Sequence, residues 1–166
     1  MEIFVVDTNF FIQAHRLIYP LDIAFSFWNK VKQLAEQKKI ISIDKVKNEL
    51  YDKNEAIEKW CKANLPEDFF RDTSHVMDKY GLVSSWAISK SNHYLPNALN
   101  EFLSVDVADA FLIAFALEDP DNRIIVTYET SEPVRKNKIK IPEACNALDI
   151  RYLNTIKMLR KLKETF

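Results

Sequence analysis

Three short apolar runs, each followed by a longer helical segment, constrain the fold of this chain more than any other feature. They are Ile3–Val6, Ile40–Ile43 and Arg123–Thr127, and all are rich in the β-branched residues that favour strands. Such continuous apolar character is typical of strands buried on both faces of a parallel sheet. Helices between parallel strands imply right-handed crossovers, so the sequence predicts an α/β fold.

Helical periodicity and capping residues predict the remaining elements. We expect helices from after Pro20 to about Lys38, Asp44 to about Asp52, Glu55–Asn64, Thr73 or Ser74 to about Ser89, Asn97–Phe102, Asp106–Glu118, from Pro142, and from a cap at Asn154. The spacing of Ile23, Phe27 and Val31 predicts an apolar stripe on the first of these, widened by Phe25 and Trp28. A further edge strand is expected at Ile150–Leu153.

Composition narrows the class of protein. With 166 residues and a net charge of −1, we expect one domain, residues 1–166, without the bulk basicity of many nucleic-acid binders. Two cysteines are too few for a zinc site or a disulfide framework. The first strand begins without a basic segment and a long apolar segment before it, so we expect no signal peptide, and no apolar run reaches the length of a membrane span. These features favour a cytoplasmic protein that does not contact a membrane.

The chain contains a single glycine, Gly81. Dinucleotide-binding and P-loop motifs need several glycines so that the backbone can approach a phosphate closely. Both kinds of motif are therefore excluded, and a phosphate bound here must be held by side chains, helix ends or metal.

Acidic residues follow two of the predicted strands. Asp7 comes directly after Ile3–Val6 and Glu129 comes shortly after Arg123–Thr127. Both are thus expected at the carboxyl edge of the sheet, where α/β proteins bind ligands. A buried, unpaired carboxylate is costly, so a compensating cation is the simplest explanation for Asp7. Asp is also a favoured helix N-cap, and position alone leaves both interpretations open.

Further acids lie on predicted helices. Asp109 is the only charge between Val107 and Leu117, and acids are rarely buried unless they are paired; a favourable position in the first helical turn is the alternative. Asp106 either caps this helix or supports a metal site. Glu49 lies late in the helix after the second strand and, on its own, is typical of a solvated residue. Several acids at one sheet edge are typical of sites for Mg²⁺ or Mn²⁺.

These residues resemble the motifs of PIN-domain proteins, the fold of VapC-type toxin ribonucleases. Val6-Asp7-Thr8-Asn9 is similar to the family's opening motif, and Glu49 and Asp109 correspond to its second and third acids. Glu129 stands where the family usually has Asp. The acid that the family normally carries two positions later is Ser131 here. The resemblance extends from Met1 to about Leu153.

The resemblance implies a three-layer α/β/α fold with a short, mainly parallel sheet. It also implies a metal-dependent endoribonuclease that cleaves RNA phosphodiester bonds, the toxin of a type II toxin–antitoxin pair, with a cognate antitoxin protein and a homodimer. Mg²⁺ or Mn²⁺ would be held by Asp7, Glu49 and Asp109, with Glu129 completing the set directly or through water. The expected supporting residues are Thr8, Asn9, Asp106 and Thr127.

The basic run Arg135, Lys136, Lys138 and Lys140 either contacts the RNA backbone or forms a solvated loop. A catalytically inactive PIN-like module that binds RNA or protein is the alternative function. A phosphatase with an Asp nucleophile is disfavoured, because the position two residues after Asp7 is Asn9, which cannot protonate a leaving group.

Overall fold

A five-stranded parallel sheet forms the centre of the computed structural model, which describes all 166 residues. Its strands are β1 (Ile3–Val6), β2 (Ile40–Ile43), β3 (Phe70–Arg71), β4 (Arg123–Val126) and β5 (Tyr152–Leu153). They lie in the order β3-β2-β1-β4-β5, and each neighbouring pair is parallel. Helices flank this sheet in a three-layer arrangement, so the predicted α/β/α fold is confirmed.

Nine α-helices accompany the strands. They are α1 (Thr8–Gln13), α2 (Phe25–Glu36), α3 (Asp44–Lys53), α4 (Glu55–Asn64), α5 (Met77–Ser89), α6 (Pro96–Phe102), α7 (Ala108–Leu117), α8 (Ile141–Leu148) and α9 (Thr155–Leu162). A π-helical turn, Ala14–Ile18, directly follows α1. None of the helices has the length and apolarity that a membrane span requires.

The core is built from the segments that the sequence marks as apolar. Every residue of β2 is buried, and so are eight of the ten residues of α7. Helix α7 packs against both α5 and β4, and Asp109 lies in its first turn. A helix that is apolar on almost every face is typically buried in this way. The carboxylate of Asp109, in that first turn, is therefore held close to the protein core.

Some local predictions are wrong. Strand β3 was not predicted, because it has only two residues and forms by pairing with Ser42 and Ile43. Helix α2 begins at Phe25, so Ile23 lies before it, and both residues are exposed instead of joining the apolar stripe. Helix α7 begins at Ala108, two residues later than predicted.

The order of the strands defines where a ligand can bind. From β1 the chain passes to β2 and β3 on one side of the sheet, and then returns to β4 on the other side of β1. The connections therefore diverge at the carboxyl ends of β1 and β4, which is a topological switch point. Open α/β sheets bind their ligands in the crevice at such a point. Asp7 and Thr127 are the residues that directly follow these two strands.

Candidate active site

Asp7 is held firmly at the end of β1. Its Oδ1 accepts a hydrogen bond from the backbone N–H of Phe10 at 2.7 Å, so Asp7 is the N-cap of α1. Its Oδ2 accepts a second bond from the Thr127 hydroxyl at 2.7 Å, and only 3% of the residue is exposed. The capping interpretation is thus confirmed. It does not compete with a site role, because the same carboxylate also lines a cleft.

Thr127 joins the ends of β1 and β4. Its hydroxyl donates to Asp7 and also accepts a hydrogen bond from the backbone N–H of Glu129 at 3.1 Å. Since Thr127 is only 2% exposed, water does not compete effectively for these bonds. The Thr127 hydroxyl therefore fixes the side chain of Asp7 and the backbone of Glu129.

Glu49 projects from α3 towards two neighbouring helices. Its Oε1 accepts from the backbone N–H of Ala108 at 2.6 Å, and its Oε2 accepts from the Thr8 hydroxyl at 2.8 Å. The Lys53 ammonium lies 3.7 Å from Oε2. Glu49 is therefore fixed to the N-termini of α1 and α7 and is not the solvated residue that its sequence position alone suggests. The side chain of Val107, the N-cap of α7, cannot accept a hydrogen bond from the first turn of the helix. Glu49 takes this capping role from another helix.

Glu129 lies in the loop that follows β4. Its Oε2 accepts from the backbone N–H of Ile141, the first residue of α8, at 2.8 Å. Its Oε1 lies 3.7 Å from the Lys138 ammonium, and 8% of the side chain is exposed. Three acids from separate chain segments thus each accept a hydrogen bond from the start of a helix, where the helix dipole favours negative charge.

Asp109 differs from the other three acids, because no protein group donates a hydrogen bond to its carboxylate. Its pKa is raised to about 8, chiefly by burial and also by the nearby charges of Glu129, Asp7 and Glu49, while the charge of Lys138 opposes the shift. The pKa of Asp7 is raised to about 7, chiefly by burial; the hydrogen bonds from Thr127 and Phe10 partly offset this rise, and the charges of Glu129 and Glu49 add to it. Raised pKa values of this kind are common at functional sites.

The four acids line one cleft, which we call the acidic cleft. It has a volume of about 190 Å³, and its lining includes Asp7, Thr8, Asn9, Glu49, Lys53, Glu101, Asp109, Glu129 and Lys138. Lys53 and Glu101 were not singled out from the sequence. The position of Lys53 one helical turn after Glu49 is a usable signal for an ion pair, whereas nothing in the sequence around Glu101 indicates the cleft.

Asp106 and most of the basic run lie elsewhere. Asp106 is exposed and precedes α7 without capping it. Lys140 is mostly buried and lies 3.0 Å from Glu132, which also pairs with Arg135 at 3.3 Å. Lys136 is exposed, so of the four predicted RNA contacts only Lys138 lines the acidic cleft.

Four carboxylates in one cleft are the oxygen ligands that Mg²⁺ and Mn²⁺ prefer. As they stand, no three His, Cys, Asp or Glu side chains are close enough together to hold an ion. Glu49 and Glu129 each direct one oxygen at a backbone N–H, of Ala108 and Ile141, so those two oxygens are engaged within the protein. The donor chemistry fits a hard divalent cation, and the carboxylates would have to move closer together to share one.

The fold and the site define an α/β protein with an acidic cleft at the topological switch point of its sheet. The chain belongs to the family described as a domain of unknown function (DUF4411), whose family model matches residues 4–166. All four acids lie within the matched region. No curated protein and no solved structure matches the chain.

Proposed function

We propose that this protein is a metal-dependent endoribonuclease, a hydrolase of the PIN-like kind. The observation that carries the proposal is the acidic cleft at the switch point, which is lined by Asp7, Glu49, Asp109 and Glu129 from four chain segments. These residues would hold Mg²⁺ or Mn²⁺, with Glu129 acting directly or through water. When bound, such a cation polarises a phosphodiester and neutralises charge that develops during its hydrolysis.

The protein's own residues orient the acids and provide contacts for a phosphate. The hydroxyls of Thr8 and Thr127 fix Glu49 and Asp7 by hydrogen bonds. Asn9 is partly exposed in the cleft, and its amide can donate to a phosphate oxygen. The ammonium groups of Lys53 and Lys138 also line the cleft. Each lies 3.7 Å from a glutamate oxygen, so both can turn towards the negative charge of an RNA backbone.

The proposal includes a biological role as the toxin of a type II toxin–antitoxin pair. In that role the protein forms a homodimer and binds an antitoxin protein. Exposed apolar side chains at Leu17, Ile18, Ile23 and Phe25 are consistent with a protein partner. Induced expression in a bacterial host should then arrest growth, whereas Asp7→Asn at equal expression should not. Equal arrest by the two proteins would contradict a toxin role based on this site.

The biochemical test compares the purified protein with single-stranded and structured RNA in Mn²⁺, in Mg²⁺ and in EDTA. We expect internal cleavage with either cation and none in EDTA. RNA binding without cleavage under all conditions would favour the alternative function, an inactive PIN-like module. Release of phosphate from phosphomonoesters with intact RNA would instead indicate a phosphatase.

The neighbouring acids Asp106 and Asp109 provide a matched pair for assigning the site. Asp106→Asn changes an exposed residue outside the acidic cleft, so we expect cleavage close to that of the parent. Asp109→Asn changes a residue that lines the cleft and should lower cleavage by about tenfold or more. Initial rates of RNA cleavage at saturating Mn²⁺ measure the effect of each substitution. The reverse order would mean that the wrong carboxylate of the pair has been assigned to the site.

A further inference from the structure

A second and larger cleft shares the loop after β4 with the acidic cleft, because Glu129 lines one and Ser131 lines the other. Its volume is about 640 Å³, within the range of about 300–1,000 Å³ that is usual for ligand pockets. It lies between the end of α5, the segment that leads to α6, the loop after β4 and helix α8. We call it the Trp86 cleft, and its lining includes Trp86, His93, Tyr94, Ser131, Glu143 and Asn146.

Two polar atoms of the residues that line this cleft have no hydrogen-bond partner. Trp86 Nε1, which can only donate, and Glu143 Oε2, which accepts when the carboxylate is ionised, are both buried and unpaired. Buried polar groups are nearly always paired, so each unpaired group in a native protein needs an explanation. A ligand that offers both an acceptor and a donor would satisfy the pair.

The orientation of Glu143 is fixed by its other carboxylate oxygen. Oε1 accepts from the Ser131 hydroxyl at 3.0 Å and from the backbone N–H of Glu132. These two bonds tie α8 to the loop after β4 and engage only Oε1. The free acceptor of Glu143 is therefore a consequence of how the loop is anchored.

The loop after β4 also connects the two clefts. Ser131 lies two residues after Glu129, a distance along the chain of at most about 7 Å. His93 Nε2 lies 3.2 Å from the carbonyl oxygen of Arg135, and Leu95 N–H donates to the carbonyl of Lys136 at 2.9 Å. This segment, which ends beside the acidic cleft, is thus held against the rim of the Trp86 cleft. A strand with a phosphate at the acids can place a neighbouring group there.

We infer that the Trp86 cleft receives an unstacked nucleobase of the RNA, next to the phosphate that lies at the acidic cleft. This inference rests on the proposed function, because it assumes that RNA is the substrate. Proteins that recognise single-stranded RNA stack bases on aromatic rings and hydrogen-bond their edges. Aromatic residues line the Trp86 cleft, and two of its lining residues, Trp86 and Glu143, carry one unpaired donor and one unpaired acceptor, which suit the edge of a base. It is the part of the protein that sets sequence preference.

Glu143→Gln tests the inference by reversing a hydrogen-bonding group. The Gln side-chain oxygen can still accept from Ser131 and Glu132, while its amide places a donor where the acceptor was. Fluorescence anisotropy in EDTA, with labelled ten-nucleotide RNAs of only A, only C or only U, measures base preference without cleavage. We expect the ratio of affinities between the best and worst RNA to change at least about fivefold. Trp86→Phe, which removes the N–H and keeps a ring, should also change it.

Trp60→Phe is the matched control for Trp86→Phe. The ring of Trp60 packs against that of Trp28, with 4.9 Å between the ring centroids, and Trp60 does not line the Trp86 cleft. It should leave the preference unchanged. Asn146→Ala, at an exposed lining position, replaces Glu143→Gln if that variant does not fold, and should weaken binding several-fold. Unchanged preference in both cleft variants, or no preference in the parent, would overturn the inference.

The cleavage assay in Mn²⁺ separates this inference from the proposed function. Altered base preference without cleavage would support the nucleobase site while removing the nuclease proposal. Metal-dependent cleavage with unaltered base preference would remove the nucleobase site alone.

Discussion

Asp7→Asn is expected to lower RNA cleavage at least about a hundredfold while the protein remains folded. Asp7 is only 3% exposed, and both of its carboxylate oxygens are hydrogen-bonded. Asn is also a good N-cap, so it can still accept from Phe10, and the Thr127 hydroxyl can accept from the new amide. Because the substitution removes the negative charge and keeps the shape, lost activity would reflect lost cation binding. Single-turnover cleavage at saturating Mn²⁺ is the measurement.

Asp44→Asn is the matched control for this substitution. Asp44 also directly follows a strand, β2, and begins a helix. Its carboxylate accepts from the hydroxyl of Thr73 at 2.6 Å and does not line the acidic cleft. We expect Asp44→Asn to retain cleavage, because the Asn side-chain oxygen can still accept the hydrogen bond from Thr73. If Asp7→Asn cleaves as fast as Asp44→Asn in excess Mn²⁺, the assignment of the site is wrong.

The comparison of sequence and structure shows which features are encoded locally. Strands β1 and β2 and helix α4 have the predicted bounds, because burial of β-branched runs and capping by Asn54 act over a few residues. The two-residue strand β3 depends on its pairing with β2 and has no local pattern. Local periodicity therefore predicted the central strands of the sheet but not its edge at β3.

The acidic cleft was also predictable only where local sequence determines the structure. The position of Asp7 after β1 was predictable, since a carboxylate at the end of a buried strand must lie at the sheet edge. The partner of Ala108 N–H was not, because it is Glu49, which is 59 residues away in the sequence. The pairing of Lys140 with Glu132 likewise removes a basic residue from the predicted RNA-binding run. Tertiary contacts, and not composition, therefore decide which charged side chains remain available to bind a ligand.

The second large effect concerns stability without metal and follows from the raised pKa values of Asp109 and Asp7. In the folded protein the pKa is about 8 for Asp109 and about 7 for Asp7, against about 4 in an unfolded chain. A group whose pKa is higher in the folded state favours folding at low pH. That contribution is complete below about pH 4 and is lost as the pH rises through the folded values, so these acids weaken the metal-free protein between about pH 4 and 8.

Asp109→Asn should therefore make the metal-free protein more stable at pH 7, by about 2 kcal/mol, since one pKa unit corresponds to about 1.4 kcal/mol. The full pKa difference would correspond to a larger gain in the free energy of unfolding. We expect less, because Asp109 is only partly buried and the Asn that replaces it is also polar. The gain should shrink towards pH 4 and disappear below it, where the parent carboxylate is protonated in both the folded and the unfolded state. Urea unfolding in EDTA at several pH values measures it. Asp106→Asn, at an exposed position, should show no comparable gain.

The same variant should respond less to metal. A cation that binds only the folded protein stabilises it by RT ln(1 + [L]/Kd), about 2.7 kcal/mol at one hundred times Kd. Losing the Asp109 carboxylate raises Kd and reduces this gain, so Mn²⁺ should reverse the order of stability between parent and variant. Melting curves with EDTA and with excess Mn²⁺ provide the comparison. If Asp109→Asn is less stable without metal and gains as much from Mn²⁺ as the parent, Asp109 is a structural acid and not a ligand.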